Sequence, residues 1–182
     1  LASGAWTSNE LGVPGEEAGG VINAIAFLAD KVEGKRVPVK EGREVVVLGG
    51  GFTTFDCTRT SLRLGAKVHT GYRRSIKEMT ATSEEIEDAD AEGTHLMFYV
   101  QQTKVVVENG KVAGIEFVKN KLGEPDASGR RRPVPIPGSD FTIKCDTIIP
   151  AFGQNPDKAV LDEQSGVKWT KRTTIQTDPH NY

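Results

Sequence analysis

The segment of this sequence best suited to chemistry is a glycine-rich turn. From its first glycine it comprises Gly49, Gly50, Gly51, Phe52, Thr53 and Thr54. The spacing matches the dinucleotide-binding pattern G-x-G-x-x-(G/A), except that Thr54 stands where a smaller residue is usual. Gly49 permits a tight turn, Gly51 lets the backbone approach a diphosphate, and amide N–H groups at a helix start would hold the phosphates. The alternative is a turn that only reverses the chain.

Two arginines follow the glycines at the distance where dinucleotide sites recognise the adenosine ribose. About 20 residues past the glycines, an NAD site places Asp or Glu against the ribose 2′-hydroxyl. This chain has Tyr72, Arg73 and Arg74 there instead. A 2′-phosphate would be repelled by a carboxylate and held by guanidinium groups, often through two parallel hydrogen bonds. The pair therefore favours NADPH over NADH, the alternative being that both arginines are solvated surface charges.

The other reactive side chains lack the spacing of a catalytic or metal site. Cys57 and Cys145 lie far apart and in no C-x-x-C pair, which argues against a zinc site, an iron–sulfur cluster, a dithiol centre or a disulfide framework. We interpret them as small buried hydrophobic residues of a protein in a reducing compartment, the cytoplasm. His69, His95 and His180 show no ligand spacing. We predict no metal and no covalent or acid–base catalyst.

Composition places the chain among ordinary globular domains. It has 182 residues, of which 37% are hydrophobic and 26% charged, with a net charge of −2. Such a balance creates no field that would attract nucleic acid or an acidic membrane, and the longest apolar-rich stretch, residues 21–29, is too short to span a bilayer. We interpret the acidic residues within 84–92 as a solvated helix face and the cluster Arg130-Arg131-Arg132 as an exposed loop tip.

The glycines and the arginines must be positioned by a strand–turn–helix–strand unit. Residues 44–48 form a short β-branched run, typical of a strand buried on both faces of a parallel sheet. Helical periodicity follows the glycines, and Gly65 ends that helix before the next strand. In chain order, the first half predicts a helix at 21–32, a strand at 44–48, a helix at 52–64, a strand at 67–72, a helix at 82–92 with a capping box at its start, and a strand at 95–100.

The second half loses the helical period. Asn109-Gly110, the strongest short hairpin signal, joins predicted strands at 103–108 and 111–119. A loop at 122–139 follows, then a third antiparallel strand at 141–144 and a buried strand at 147–149. The sequence therefore predicts an α/β, Rossmann-like FAD/NAD(P)-binding fold, in which a parallel sheet with helices is joined to an antiparallel β-meander.

Several segments carry a family resemblance. They are residues 49–57, 62–66, 72–74, 122–135, 151–156 and 1–5. Together they resemble the NADPH-binding domain of the glutamate synthase small (beta) subunit, and the long loop string at 122–135 is more specific than the glycines. The resemblance covers nearly the whole chain, and because the sequence opens at Leu1 in mid-pattern we expect a fragment of a longer protein.

The resemblance implies a domain organisation and an electron path. Residues 1–20 would be a remnant of an FAD domain with its linker, 21–150 the NADPH-binding domain, and 151–182 the start of the return to the FAD domain. NADPH would reduce FAD in the longer protein, and electrons would pass through iron–sulfur clusters to a glutamate synthase large subunit or another acceptor. Gly153 and Gln154 would lie near the nicotinamide–flavin junction. We expect no FAD in this chain and no oxidation of NADPH by the chain alone.

Three positions depart from the family pattern. Phe52 stands where Asn or Asp is usual, Thr54 where Ala is usual, and Thr80 where Pro is usual. The first two motivate an alternative, a non-catalytic domain that keeps the fold and serves subunit assembly. A different NADPH:flavin reductase, such as a ferredoxin–NADP reductase-like or sulfide dehydrogenase-like enzyme, is a further alternative. A thioredoxin reductase-like enzyme would carry a C-x-x-C in this domain, and this sequence has none.

Overall fold

In the computed structural model of this chain, the described residues are 4–5, 7–125, 131–156, 166–170 and 174–177. The helices are α1 (Ala24–Val32), α2 (Phe52–Arg63) and α3 (Ser83–Ala91), and a short 3₁₀ turn spans Ile76–Glu78. The strands are β1 (Thr7–Ser8), β2 (Glu44–Leu48), β3 (Lys67–Tyr72), β4 (His95–Phe98), β5 (Val100–Glu108), β6 (Lys111–Pro125), β7 (Arg131–Pro135), β8 (Phe141–Lys144), β9 (Thr147–Pro150) and β10 (Gln154–Asn155). His180, Arg130, residues 1–3 and parts of the segment after 156 lie outside the described residues.

A parallel sheet forms the centre of the molecule, with its strands in the order β4-β3-β2-β9. Val45, Val46 and Val47 of β2 are fully buried, as expected for a strand covered on both faces. Because side chains alternate along a strand, Val45 and Val47 pack with α1 and α2, whereas Val46 packs beneath the antiparallel strands. Helices therefore cover one face of the sheet and strands the other, which confirms the predicted fold class.

The covering strands form an antiparallel sheet in the order β5-β6-β7, with β8 also paired to β6. The predicted hairpin is confirmed, because β5 and β6 are joined by Asn109 and Gly110 at φ values of 50° and 76°. Ile115 and Phe117 of β6 are fully buried and lie in the same core cluster as Ile148 of the parallel sheet. These contacts fasten the two sheets together.

The predicted strand at residues 95–100 is divided in the structure. Tyr99 has a φ of 57°, so β4 ends immediately before it and β5 begins immediately after it. A left-handed backbone costs a non-glycine residue about 1–2 kcal/mol, so Tyr99 must be held there by its neighbours. The prediction was wrong because periodicity alone does not show where a chain leaves one sheet for another.

The predicted loop at residues 122–139 is partly strand. β6 continues to Pro125 and pairs with β7, whose prolines are tolerated because β7 lies at the edge of its sheet. Arg131 secures this arm, since its Nε donates to the Gly123 carbonyl at 3.0 Å and its Nη2 to the Leu122 carbonyl at 2.8 Å. The part of the arginine cluster that is described therefore belongs to a strand and not to a loop tip.

The first helix begins later than the predicted span of 21–32. The Asn23 side chain accepts a hydrogen bond from the Ala26 N–H at 2.9 Å and so caps α1. Before the cap, the Ile22 N–H donates to the Ile148 carbonyl at 2.9 Å. The apolar residues that precede the cap therefore extend along β9, and the cap sets the start of the helix.

Two histidines lie side by side on the parallel sheet. His69 of β3 and His95 of β4 are in register, with ring centroids 5.3 Å apart. His69 Nδ1 is buried and has no hydrogen-bond partner among the described residues, and its Nε2 lies 3.8 Å from the Glu44 carboxylate, which also pairs with Lys67. Burial and then the neighbouring His95 lower the pKa of His69, and Glu44 partly opposes this. Folding therefore favours the neutral imidazole.

His69 should make the stability of the fold depend on pH. As the pH falls, His69 takes up its proton in the unfolded chain before it does so in the folded chain. The contribution of neutral His69 to the unfolding free energy is therefore complete above the ordinary histidine pKa of 6.5, and it is lost as the pH falls below that value. We expect the difference in unfolding free energy between about pH 8 and about pH 5 to be smaller in His69→Gln than in the original protein. Urea unfolding at both pH values measures this. The same pH dependence in both proteins would contradict it.

Candidate functional site

A cleft of about 640 Å³ opens at the carboxyl ends of β2, β3 and β9. Ligands of open α/β sheets bind at this edge, where successive loops leave the strands. The cleft is lined by residues 9–11, 49–53, 71–74, 100–102 and 151–153, together with Glu78 and Thr80. The fold therefore brings the glycine turn and the arginine pair to a single cavity. The two segments that contribute them, 49–53 and 71–74, are separated by 18 positions in the sequence, from 53 to 71.

The glycine turn is shaped by contacts that only glycine allows. Gly49 has a φ of 144°, and its N–H donates to the Gly71 carbonyl at 3.0 Å. A β-carbon at Gly49 would lie 2.5 Å from the Ala151 carbonyl oxygen and would collide with the Thr54 hydroxyl. A β-carbon at Gly50 would lie 2.7 Å from the Tyr72 ring. The first two glycines thus allow β2, β3 and β9 to converge beneath the cleft.

Helix α2 begins at the cleft, with Gly51 as its N-cap. The Gly51 N–H donates to the Thr54 hydroxyl at 3.3 Å, and the Thr54 N–H donates back to the Gly51 carbonyl at 3.0 Å. The first N–H groups of a helix lack partners within it. Since Gly51 and Thr54 bond each other, the N–H groups of Phe52 and Thr53 are the best placed to bind an anion, which the helix dipole also favours.

Thr54 and Phe52 have different positions in the site. Thr54 is completely buried and does not line the cleft, and its hydroxyl acts within the turn. Phe52 lines the cleft with 52% of its surface exposed. Only one of the two departures at the glycine turn therefore places a large side chain where a ligand would lie.

Thr80, which also lines the cleft, is hydrogen-bonded to the glycine turn. Its N–H and its hydroxyl both donate to the Gly50 carbonyl, at 2.8 and 3.4 Å, and the Ala81 N–H donates to the same oxygen at 3.2 Å. A proline, the residue expected from the resemblance at position 80, has no N–H and could not make the first of these bonds. Sequence reasoning marked Thr80 as a departure but did not assign it a contact with the turn.

The arginine pair supplies the positive charge of the cleft. Arg73 is exposed, whereas Arg74 is 9% exposed and its Nε has no hydrogen-bond partner among the described residues. Glu78 also lines the cleft. Its hydrogen bonds from the Ser75 hydroxyl and N–H, and more weakly the charge of Arg74, hold the pKa of the Glu78 carboxyl below its ordinary value. Two neighbouring guanidinium groups that line one cleft are strong candidates for binding an anion.

The last two predicted site residues separate from each other. Gly153 lines the cleft, and its carbonyl accepts a hydrogen bond from the Asn9 N–H at 3.2 Å. Gln154 belongs to β10, pairs with Ser8 and does not line the cleft. The cleft thus holds eight of the ten predicted residues: Gly49, Gly50, Gly51, Phe52, Thr53, Arg73, Arg74 and Gly153. Their binding role stays a prediction.

Comparison with known proteins identifies the family. Residues 1–181 match the family described as pyridine nucleotide-disulphide oxidoreductase. The chain belongs to this family. The "NADPH-Fe(3+) oxidoreductase subunit beta" of Geobacter sulfurreducens is 48% identical over 97% of the chain, and the "Glutamate synthase [NADPH] small chain" of Escherichia coli is 37% identical over 98% of it. The resemblance to the glutamate synthase small subunit is confirmed.

The relatives are much longer than this family member. The chain spans 27% of the Geobacter protein and 38% of the Escherichia coli protein. Among solved structures, Mycobacterium tuberculosis FprA in complex with NADPH matches the whole chain and 56% of its own length, with a TM-score of 0.72 and 20% identity. At that identity the match supports the fold alone.

The family's name includes a disulphide, but this chain has no cysteine pair. Cys57 and Cys145 are both free and buried, and burial, which is the largest cause, raises the pKa of each thiol to about 12. In the described part of the chain, no group of three or more His, Cys, Asp or Glu side chains could hold a metal ion. Within the same residues, every helix is too short or too polar to cross a bilayer.

Proposed function

We propose that this chain is the NADPH-binding domain of a flavin-dependent oxidoreductase of the glutamate synthase small-subunit type. Residues 21–150 would form that domain, residues 1–20 a remnant of the FAD domain with its linker, and residues 151–182 the start of the return to the FAD domain. Electrons would pass from NADPH to FAD and on to iron–sulfur centres. FAD and those centres are assigned to other parts of the longer protein, and no residue of this chain is assigned to hold them.

Arg74 supports this proposal most directly. It is 9% exposed and lines the same cleft as the residues at the start of α2, and the exposed Arg73 lines that cleft beside it. Two adjacent guanidinium groups at one cleft favour an anionic ligand there, and the burial of Arg74 reduces the screening of its charge by solvent. A phosphate on the adenosine ribose, held between Arg73 and Arg74, has the charge and the oxygen geometry that guanidinium groups recognise best.

The glycine turn fits the rest of the nucleotide. Gly49, Gly50 and Gly51 line the cleft without β-carbons, and the N–H groups of Phe52 and Thr53 stand at the start of α2. A diphosphate there would face both the free N–H groups and the positive end of the helix dipole. Gly153 lines the same cleft and would lie towards the nicotinamide.

The residues of this chain would bind and orient, and they would not transfer protons. When bound, NADPH supplies the hydride for the reaction. The glycine turn would fix the diphosphate, the arginines would fix the adenosine ribose, and the far end of the nucleotide would thereby be directed towards the flavin. Hydride transfer needs an acceptor held close to the nicotinamide, and the proposed acceptor is the flavin, so a flavin-free chain would not oxidise NADPH.

The relatives bear on the partners. One is named for Fe(3+) reduction and another for glutamate synthesis. We infer that the FAD domain of the same polypeptide receives the electrons first, and that a glutamate synthase large subunit or another acceptor receives them later.

We assign the protein to the cytoplasm because both of its cysteines are unpaired, as is usual in a reducing compartment.

Calorimetric titration with the oxidised nucleotides tests the proposal. We expect NADP⁺ to bind the purified protein at least about tenfold more tightly than NAD⁺, because a 2′-phosphate adds one or more charge-assisted hydrogen bonds. The preference should weaken as the salt concentration rises, because part of the interaction is exposed. Equal affinities would exclude the 2′-phosphate site.

Phe52 favours a second candidate, a non-catalytic domain that serves subunit assembly. Its exposed ring lies in the cleft at the helix mouth, where it could occupy the space of a diphosphate. In that case neither nucleotide would bind in the titration. Another NADPH:flavin reductase, such as a ferredoxin–NADP reductase-like or sulfide dehydrogenase-like enzyme, would share the NADP⁺ preference and differ in its electron acceptor.

A further inference from the structure

The arginine pair stands beyond the end of β3, and its backbone is held by Asn120 of β6 and by Tyr99, the residue between β4 and β5. The Arg74 carbonyl accepts a hydrogen bond from the Tyr99 N–H at 3.1 Å. The Arg73 carbonyl accepts one from the side-chain amide of Asn120 at 3.1 Å. The Asn120 N–H in turn donates to the Tyr99 carbonyl at 2.7 Å. These three bonds connect both arginine carbonyls to the antiparallel sheet.

Tyr99 adopts an unfavourable conformation in order to make its two bonds. Its φ of 57° places a non-glycine residue in the left-handed region, at the single residue between β4 and β5. Such strain persists only where the surrounding structure determines the backbone, and it concentrates at functional sites. Here the left-handed backbone conformation directs the Tyr99 N–H towards the Arg74 carbonyl and the Tyr99 carbonyl towards the Asn120 N–H.

Asn120 is an unusual residue for its environment. It is 5% exposed, and its Oδ1 is buried without a hydrogen-bond partner among the described residues. A buried amide with one unpaired atom costs stability relative to an apolar side chain of similar shape. The contact in the structure that offsets this cost is the bond from its Nδ2 to Arg73.

We propose that Asn120 is a positioning residue for nucleotide selectivity, acting through Arg73 and Arg74. By holding the Arg73 carbonyl, and the Arg74 carbonyl through Tyr99, it sets the direction in which both guanidinium groups leave the backbone. Recognition of a phosphate by two guanidinium groups depends on their orientation. Asn120 itself does not line the cleft, so it affects the ligand only through the arginines. This inference rests on the proposed function.

The test is the ratio of the dissociation constants for NAD⁺ and NADP⁺, measured by calorimetry on the full-length protein that carries these residues. In Asn120→Leu, which keeps the side-chain size and removes the donor, we expect the NADP⁺ affinity to fall about fivefold to tenfold and the NAD⁺ affinity to change less than about twofold. Asn120→Ser, whose side chain is too short to reach the Arg73 carbonyl, should give the same change and cannot overpack the core. Thr147→Val is another buried polar-to-apolar change. Thr147 is the first residue of β9, at the end of that strand away from the cleft, so this change should leave the ratio unaltered.

A double-mutant cycle separates positioning from a merely structural role. In a background of Arg73→Gln and Arg74→Gln, replacing Asn120 with leucine should no longer change the ratio, because there are no guanidinium groups left to position. An equal loss of NADP⁺ and NAD⁺ affinity in Asn120→Leu would overturn the inference, as would a fall in the ratio that persists in the glutamine background. Absence of NADP⁺ preference in the unmutated protein would instead overturn the proposed function itself.

Discussion

Replacement of Arg74 with glutamine is expected to weaken NADP⁺ binding about 30-fold, which corresponds to about 2 kcal/mol for a charge-assisted hydrogen bond. NAD⁺ binding should change by less than about twofold, because NAD⁺ has no 2′-phosphate for this side chain to hold. Arg74 is chosen over Arg73 because it is the more buried of the two, and a buried charge is less screened by solvent. Calorimetric titration with both nucleotides measures the effect.

A matched control is available on α2. Arg59 is also partly buried, but its guanidinium pairs with Asp88 and Glu92 and does not line the cleft. Arg59→Gln should leave both affinities unchanged while altering stability slightly. Arg74→Lys keeps the charge and loses the planar fork, so its NADP⁺ affinity should fall between those of the original protein and Arg74→Gln. If Arg74→Gln weakened both nucleotides equally, its role would be structural.

Replacement of Gly49 with alanine should be the most damaging single change to the turn. The backbone there has a φ of 144°, and the new β-carbon would lie 2.5 Å from the Ala151 carbonyl oxygen. Backbone strain and the displacement of packed main chain together should lower the unfolding free energy by about 3 kcal/mol. NADP⁺ binding should be lost as well, because the collision separates β2 from β9 directly beneath the cleft. Urea unfolding and calorimetry measure the two effects.

Gly93 provides the comparison for this change. It also has a positive φ, 98°, but a β-carbon there would meet nothing within 4 Å. Gly93→Ala should therefore cost only about 1 kcal/mol of conformational strain and leave nucleotide affinity intact. Equal destabilisation by the two substitutions would show that the close approach of Ala151 has no energetic importance.

Much of the fold could be predicted, because its signals are local. The bounds of β2 and β3 agree with the predicted spans 44–48 and 67–72, and the turn at Asn109 and Gly110 joins the predicted hairpin. The capping box of α3 was also predicted, and the Thr82 hydroxyl accepts the Glu85 N–H at 3.3 Å. Predictions were wrong where a distant partner decided the outcome. β6 continues to Pro125 only because β7 is there to pair with it.

Most residues that line the candidate site were named from the sequence, but the residues that hold them in place were not. The glycine spacing and the arginine pair indicated residues that the structure places in one cleft. Each pattern could be recognised because it has a local physical reason to bind a phosphate group. The buried position of Thr54 and the bonds from Thr80 to the turn depend on packing that no local pattern reports. Asn120 is one polar residue within a long strand, and nothing in its immediate sequence distinguishes it.

The sequence alone determined the order and type of the three helices, the strands of the parallel sheet and the hairpin at Asn109 and Gly110. It also determined the glycine turn at a strand end and the positive charge beyond the next strand. These depend on periodicity, β-branching and backbone freedom, which act over a few residues. Only the tertiary structure decided that Arg74 is buried while Arg73 is exposed, and that Asn120 holds a carbonyl 47 positions away. Burial and long-range hydrogen bonds arise when the antiparallel strands close over the parallel sheet, and the geometry of that closure is a property of the whole chain.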